Sequence, residues 1–211
     1  MIEVQLRRRG VDDERVLEVM GQIPRERFVA PRDQDAAYDD QAMQVGYGQT
    51  ISQPYMVGLM TQLLAVQPDH RVLEIGTGTG YQTAILAAMC KHVYTIERVL
   101  ELSETGAERL AEMNVTNVSY RVGDGTLGWV SESPFDGIMV TAGAPSVPPA
   151  LTEQLADGGR LVVPVGDESY QTLTVIERQG DTTVERPSIA CRFVPLIGRA
   201  GWSPTDAPGR C

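Results

Sequence analysis

The residues best placed to do chemistry form clusters at the ends of apolar runs. Val72, Leu73, Glu74 and Ile75 run into Gly76, Thr77, Gly78, Thr79 and Gly80, and a helical pattern begins near Tyr81. Alternating glycines let a backbone turn sharply and approach a ligand closely. A dinucleotide-binding loop, G-x-G-x-x-G, needs its third glycine at Tyr81; here it falls one residue early, and an acid, Glu74, lies inside the strand. Glu97 closes the next run, where a carboxylate can accept two hydrogen bonds from a ribose diol. Gly123, Asp124 and Gly125 follow the third, where Asp124 can accept from an adenine amino group while glycine admits the ring. Singly, each is an ordinary turn or a surface acid. Together they sit at the carboxyl ends of successive strands, where open α/β sheets bind ligands. The cofactor-side set is therefore Glu74, Gly76, Thr77, Gly78, Gly80, Glu97, Asp124 and Gly125.

Positioning these clusters requires a regular frame. Apolar runs at 71–75, 93–96, 118–122, 137–140 and 160–165 are mostly separated by helical segments, which predicts a doubly wound, mostly parallel, Rossmann-like α/β sheet. Segments 171–178 and 182–193, divided by Gly180 and Asp181, read as a hairpin closing one edge. Ahead of the sheet, Asp12, Asp13 and Glu14 open an amphipathic helix carrying Val16, Val19, Met20 and Ile23, stopped by Pro24. Residues 24–53 read as irregular, and Pro54 opens a second helix. One domain is expected over 1–211. It comprises N-terminal helices and an acceptor-side loop (1–70), a cofactor-binding core (71–165), C-terminal strands (166–202) and a loose tail (203–211).

With 211 residues and 42% hydrophobic content, the chain can bury one sizeable core. No apolar run reaches the ~18 residues of a membrane span, and residues 1–10 are polar, so a soluble cytoplasmic protein is expected. Cys90, Cys191 and Cys211 have neither disulfide nor zinc-ligand spacing, and only His70 and His92 could add imidazole, so no metal is expected. A net charge of −10 disfavours nucleic acid, which needs a basic surface, but tolerates peptides. A monomer is expected.

One further segment is polar beyond the needs of a linker: Gly46-Tyr47-Gly48-Gln49-Thr50-Ile51-Ser52-Gln53-Pro54-Tyr55-Met56. With residues 73–84, with Phe135-Asp136-Gly137-Ile138-Met139-Val140-Thr141-Ala142, and with Arg192-Phe193-Val194-Pro195-Leu196, it resembles the protein-L-isoaspartate O-methyltransferase family over about 11–202. The resemblance implies methyl transfer from S-adenosyl-L-methionine to the free carboxylate of L-isoaspartyl, and more weakly D-aspartyl, residues in damaged proteins and peptides. The coproduct is S-adenosyl-L-homocysteine, and the ester then cyclises to a succinimide. It also places the active-site serine at Ser52, cofactor residues at the Gly76 loop, Glu97, Asp124 and Gly125, and peptide-binding backbone at Val194, Pro195 and Leu196. Thr79, Gly58 and Gly143 depart from the usual pattern, the last bearing on acceptor range.

That chemistry suits the residues present. A carboxylate with a reference pKa of ~4 is ionised at neutral pH and needs no general base. The site must chiefly align it with the donor and exclude water. Ser52, beside Ile51 and helped by Thr50, is the candidate to hold the acceptor, although a serine just before Pro54 is also a good helix N-cap. The extended segment at Pro195 offers main-chain docking for a peptide. Two alternatives stay open: a methyltransferase for another carboxylate or a nucleobase, and a catalytically silent S-adenosylmethionine binder.

Overall fold

The computed structural model describes residues 1–203, so the tail expected at 203–211 lies outside the described residues beyond Ser203. Helix α1 (Glu14–Gln22) starts where the acids predicted it. The Asp13 carboxylate accepts from the backbone N–H groups of Arg15 (2.9 Å) and Val16 (3.4 Å), satisfying donors with no intrahelical partner. Its Val16, Leu17 and Met20 are buried.

The stretch 24–53 is more ordered than the irregular structure expected of it. Tight helical turns occupy Arg25–Phe28 and Pro31–Ala36. Strands β1 (Met43–Gly46) and β2 (Gln49–Ile51) then pair antiparallel, Met43 opposite Ile51. The reversal uses Tyr47 and Gly48 at φ 53° and 68°, a two-residue left-handed turn that a tyrosine disguises in the sequence. Helix α2 (Pro54–Leu64) follows, with proline in its first turn. Its Gly58 has a packing reason: an added Cβ would lie 3.1 Å from a Leu6 methyl and 3.3 Å from the Met20 sulfur.

The frame proper alternates as predicted: β3 (Arg71–Ile75), α3 (Tyr81–Met89), β4 (His92–Glu97), α4 (Leu100–Glu112), β5 (Val118–Val122), β6 (Phe135–Val140), α5 (Pro149–Glu153) and β7 (Leu155–Gly166). The antiparallel strands β8 (Gln171–Gln179) and β9 (Thr182–Cys191) complete one sheet in the order β5-β4-β3-β6-β7-β8-β9. From β5 to β7 every pairing is parallel. Neighbouring residues of a strand serve opposite faces: Val72 joins a core with α1, α2 and α3, whereas Leu73 joins another with Leu151 and Leu155. Burial on both sides explains the uninterrupted apolar runs. The chain steps outward from β3 through β4 to β5, then returns to the other side of β3 at β6, so a switch point falls between the ends of β3 and β6. Among the described residues no helix is long and apolar enough to cross a membrane.

Removing the α1 cap tests the link from sequence to fold. Asp13→Ala should cost about 1 kcal/mol in urea unfolding, and an unchanged midpoint would show that the cap adds nothing.

Candidate active site

At the switch point β3 ends by a turn whose backbone only glycine adopts comfortably. Gly76, Gly78 and Gly80 have φ of 102°, 53° and 89°. The Gly76 N–H still bonds the Ile96 carbonyl at 2.8 Å, and Gly80 N–H bonds the Thr77 carbonyl at 2.9 Å, so the turn hands over directly to α3. Thr141, just past β6, braces it: its hydroxyl lies 3.0 Å from the carbonyls of both Ile75 and Gly76. An added Cβ on Gly76 would come within 2.3 Å of that hydroxyl. Gly78 and Gly123 differ, since a Cβ on either meets no atom within 4 Å. Both line the cavity above the turn, so a ligand can lie directly on their backbones.

Three acids surround this turn in different ways. The Glu97 carboxylate reaches the cavity wall, accepting from Gly78 N–H at 3.0 Å and from Arg98 and Val99 N–H at 2.8 and 2.9 Å. It fixes the loop and retains accepting capacity for a diol. Glu74 is fully buried beneath the turn and does not line the cavity. It accepts from the hydroxyls of Thr83 (2.6 Å) and Thr95 (2.7 Å), and Thr95 in turn meets Thr77 at 2.7 Å. Burial pushes its carboxyl up to about 8, against the opposing hydrogen bonds from Thr83 and Thr95. Asp124, between the lining residues Gly123 and Gly125, is likewise not part of the cavity wall. Its carboxylate accepts from the Thr126 N–H and hydroxyl at 2.9 and 2.6 Å and from Arg199 N–H at 2.8 Å. Burial would raise this carboxyl, but those bonds outweigh it and hold it below the usual carboxylate range. With Oδ2 accepting only from Arg199 N–H, the Asp124 carboxylate, like that of Glu97, retains accepting capacity, and Gly125 lines the cavity.

Across the cavity, Thr50, Ile51 and Ser52 come down from β2, and Val194, Pro195 and Leu196 approach from beyond β9. The sequence allowed Ser52 to cap α2; the cap position is instead Gln53, and no side chain caps it. The Ser52 hydroxyl has no hydrogen-bond partner among the described residues, and Ser52 lines both the main cavity and a second one bordered by Tyr55, Met56, Arg192 and Phe193. Gly143 holds the 194–196 segment: its N–H bonds the Val194 carbonyl and its carbonyl accepts from Leu196 N–H, both at 2.8 Å. That backbone edge is therefore taken, and on the other side Pro195 lacks an N–H. An added Cβ on Gly143 would lie 2.9 Å from the end of the Gln171 side chain, which would have to shift to admit it.

The cavity thus gathers Thr50, Ile51, Ser52, Gly76, Thr77, Gly78, Glu97, Gly125, Val194, Pro195 and Leu196, and leaves Glu74, Gly80 and Asp124 outside its wall. Sequence reasoning overlooked Thr141, Tyr81 and Gln82, which line it too. Thr141 lies in a quoted motif, so its position was available; its bracing bonds are tertiary and were not. Burial raises the thiols of Cys90 and Cys191, to about 12 and about 11, which keeps both protonated. Among the described residues no cluster of His, Cys, Asp or Glu is arranged to hold a metal ion.

A doubly wound sheet with this glycine turn at its switch point and an acid after the second strand defines a class I S-adenosylmethionine-dependent methyltransferase fold. Residues 1–201 match the family model for protein-L-isoaspartate(D-aspartate) O-methyltransferase, and the chain belongs to that family. The protein-L-isoaspartate O-methyltransferase of Trichlorobacter lovleyi is 52% identical over 203 residues, covering 96% of this chain and 94% of its own. That of Serratia proteamaculans is 53% identical, covering 92% of each. Among solved structures, a protein-L-isoaspartate O-methyltransferase superposes with a TM-score of 0.84 at 29% identity, covering 95% of this chain and 67% of its own. A Plasmodium falciparum structure described as the same enzyme, in complex with S-adenosyl-L-homocysteine, gives 0.81 at 27% identity, covering 93% of this chain and 96% of its own.

The protonated Glu74 sets a pH signature for the ligand-free protein. Its folded pKa lies above its ordinary value, so the stability it contributes is complete below 4.5 and is lost as pH rises toward about 8. Glu74→Gln should flatten that decline in thermal melts taken across the same range; parallel curves for the two proteins would place the proton elsewhere.

Proposed function

We propose that the chain esterifies the free carboxylate of L-isoaspartyl residues, and more weakly of D-aspartyl residues, in damaged proteins and peptides, the first step of their repair through a succinimide. The observation that carries this reading is that Ser52, whose hydroxyl has no partner among the described residues, lines the same cavity as the glycine turn. Family membership and the identity of its relatives support it. S-adenosyl-L-methionine, when bound, supplies an electrophilic methyl group on a positively charged sulfur.

The chain's residues then have separable tasks. The backbones of Gly76, Thr77 and Gly78, the Glu97 carboxylate and Gly125 would hold the donor, with Glu97 able to accept from hydroxyl groups. Glu74 acts from below by fixing Thr95, and through it Thr77. Ser52 and Thr50 donate to the acceptor carboxylate or the adjoining peptide group and aim one oxygen at the methyl carbon. The oxygen is already anionic, so no base removes a proton. Ile51 and Leu196, both largely buried, keep water from the reacting pair. Val194 and Pro195 border the acceptor side, leaving the Pro195 carbonyl rather than a full ladder of N–H groups to meet a peptide. Recognition through so few backbone contacts accepts varied flanking residues. The partners are isoaspartyl proteins and peptides and not nucleic acid, the working form is a monomer, and the location is cytoplasmic; the acidic surface supports the exclusion of nucleic acid.

The decisive assay supplies radiolabelled methyl donor with an isoaspartyl peptide and its aspartyl twin. Base-labile ester, released as methanol, should appear with the isoaspartyl peptide alone. Label on both peptides would favour another carboxylate specificity, and donor binding without transfer a silent binder. In the same assay Ser52→Ala should lose most turnover while keeping affinity for S-adenosyl-L-homocysteine; full turnover at saturating peptide would remove Ser52 from the mechanism. Glu97→Ala should do the reverse and weaken that affinity by about 10-fold or more in calorimetry, in line with ~1.5–3 kcal/mol for hydrogen bonds to a charged group. Equal affinity would exclude the ribose contact.

A further inference from the structure

Arg25 is fully buried, and among the described residues no carboxylate pairs with it. A guanidinium in such a place is costly unless its donors are used. Two of them are: Nε donates to the Ala37 carbonyl and Nη2 to the Ser52 carbonyl, each at 2.7 Å. The guanidinium carbon stands 4.8 Å from the centre of the Tyr81 ring. Tyr81 is the first residue of α3, directly after the glycine turn, and its ring lines the main cavity and meets Phe28 edge-on at 5.3 Å. Both Nη1 of Arg25 and the Tyr81 hydroxyl are buried without a hydrogen-bond partner.

One side chain therefore touches both halves of the site. One donor, Nη2, holds the backbone of the acceptor serine, whose own hydroxyl has no partner among the described residues, and the guanidinium carbon sits over the ring of Tyr81, the residue that follows the cofactor turn. Building on the functional reading above, we propose that Arg25 is a positioning residue for methyl transfer, setting the distance between Ser52 and the glycine turn. A purely structural residue would not need this chemistry, because two carbonyls can be satisfied by neutral donors without burying a charge. A planar, two-pronged cation that also stacks on an aromatic face spans three segments at fixed geometry, and lysine cannot reproduce it.

The test compares wild type, R25A and R25K for turnover of the isoaspartyl peptide, S-adenosyl-L-homocysteine affinity and melting temperature. Losing a charge-assisted bond in the reacting geometry corresponds to about 10- to 100-fold in rate. The expected result is a fall of that order in kcat for both variants, with cofactor affinity unchanged within about threefold. Millimolar guanidinium should restore part of the R25A rate and none of the S52A rate. Wild-type kcat in R25A, an equal loss of rate and cofactor affinity with no guanidinium rescue, or unfolding of both variants at the assay temperature would each overturn the positioning role. An inactive wild-type protein sinks the functional reading and this one together, whereas an active wild type with an equally active R25A sinks this one alone.

Discussion

The organisation of the cavity rests on how β3 ends. Its ladder with β4 continues one residue past the strand, through the Gly76 N–H and the Ile96 carbonyl, and then the chain turns with a positive φ that places Gly76 against the Thr141 hydroxyl. There is no room for a side chain at that contact, so the close approach of β3 and β6 and the open floor above them are one constraint. Move the turn outward by one methyl group and Thr141 loses the two carbonyls it braces. The floor would then lose its height relative to Glu97.

The two halves of the site are built from different materials. Around the glycine turn the cavity floor is mainly backbone, and the side chains nearby act by tension: Glu97 pulls Gly78 and the start of α4 together, and Glu74 gathers Thr83, Thr95 and Thr77 from below. The facing wall at Thr50, Ile51 and Ser52 is carried by a small hairpin outside the main sheet. Such a hairpin is marginal alone. It holds its place through Ser52 on Arg25 and through the Gln53 side chain on the Asp40 carbonyl, at 2.7 and 2.9 Å. A backbone floor suits a donor that never varies, while an attached hairpin suits an acceptor presented by many proteins.

Much of the frame is legible in the sequence. A strand buried on both faces reads as a plain apolar run, and residues 71–75 coincide with β3; the edge strand β5, at 118–122, is legible although none of its residues is buried. The strand-turn-helix at Gly76 was legible because φ demands leave glycine little competition. What escaped was long-range or locally disguised. Arg25 sits in Pro-Arg-Glu-Arg, which reads as a solvated turn, and only tertiary packing reveals that one arginine is swallowed while Arg27 stays at the surface. The β1–β2 reversal was hidden by Tyr47 occupying a left-handed position that usually advertises itself with asparagine or aspartate. Nor does any local pattern announce that the Asp124 carboxylate accepts from the backbone N–H of Arg199, 75 residues on.

That last bond ties the far end of the chain to both ends of the cavity. Leu196 hangs on Gly143, the Trp202 indole N–H reaches the same carbonyl at 3.0 Å, and Arg199 and Ala200 donate to Asp124 and Thr126. The 196–202 segment is thus fastened at Gly143 on one wall and at the Asp124–Thr126 turn on the other, so the two walls share one tether and neither can shift without loading the same short run of backbone.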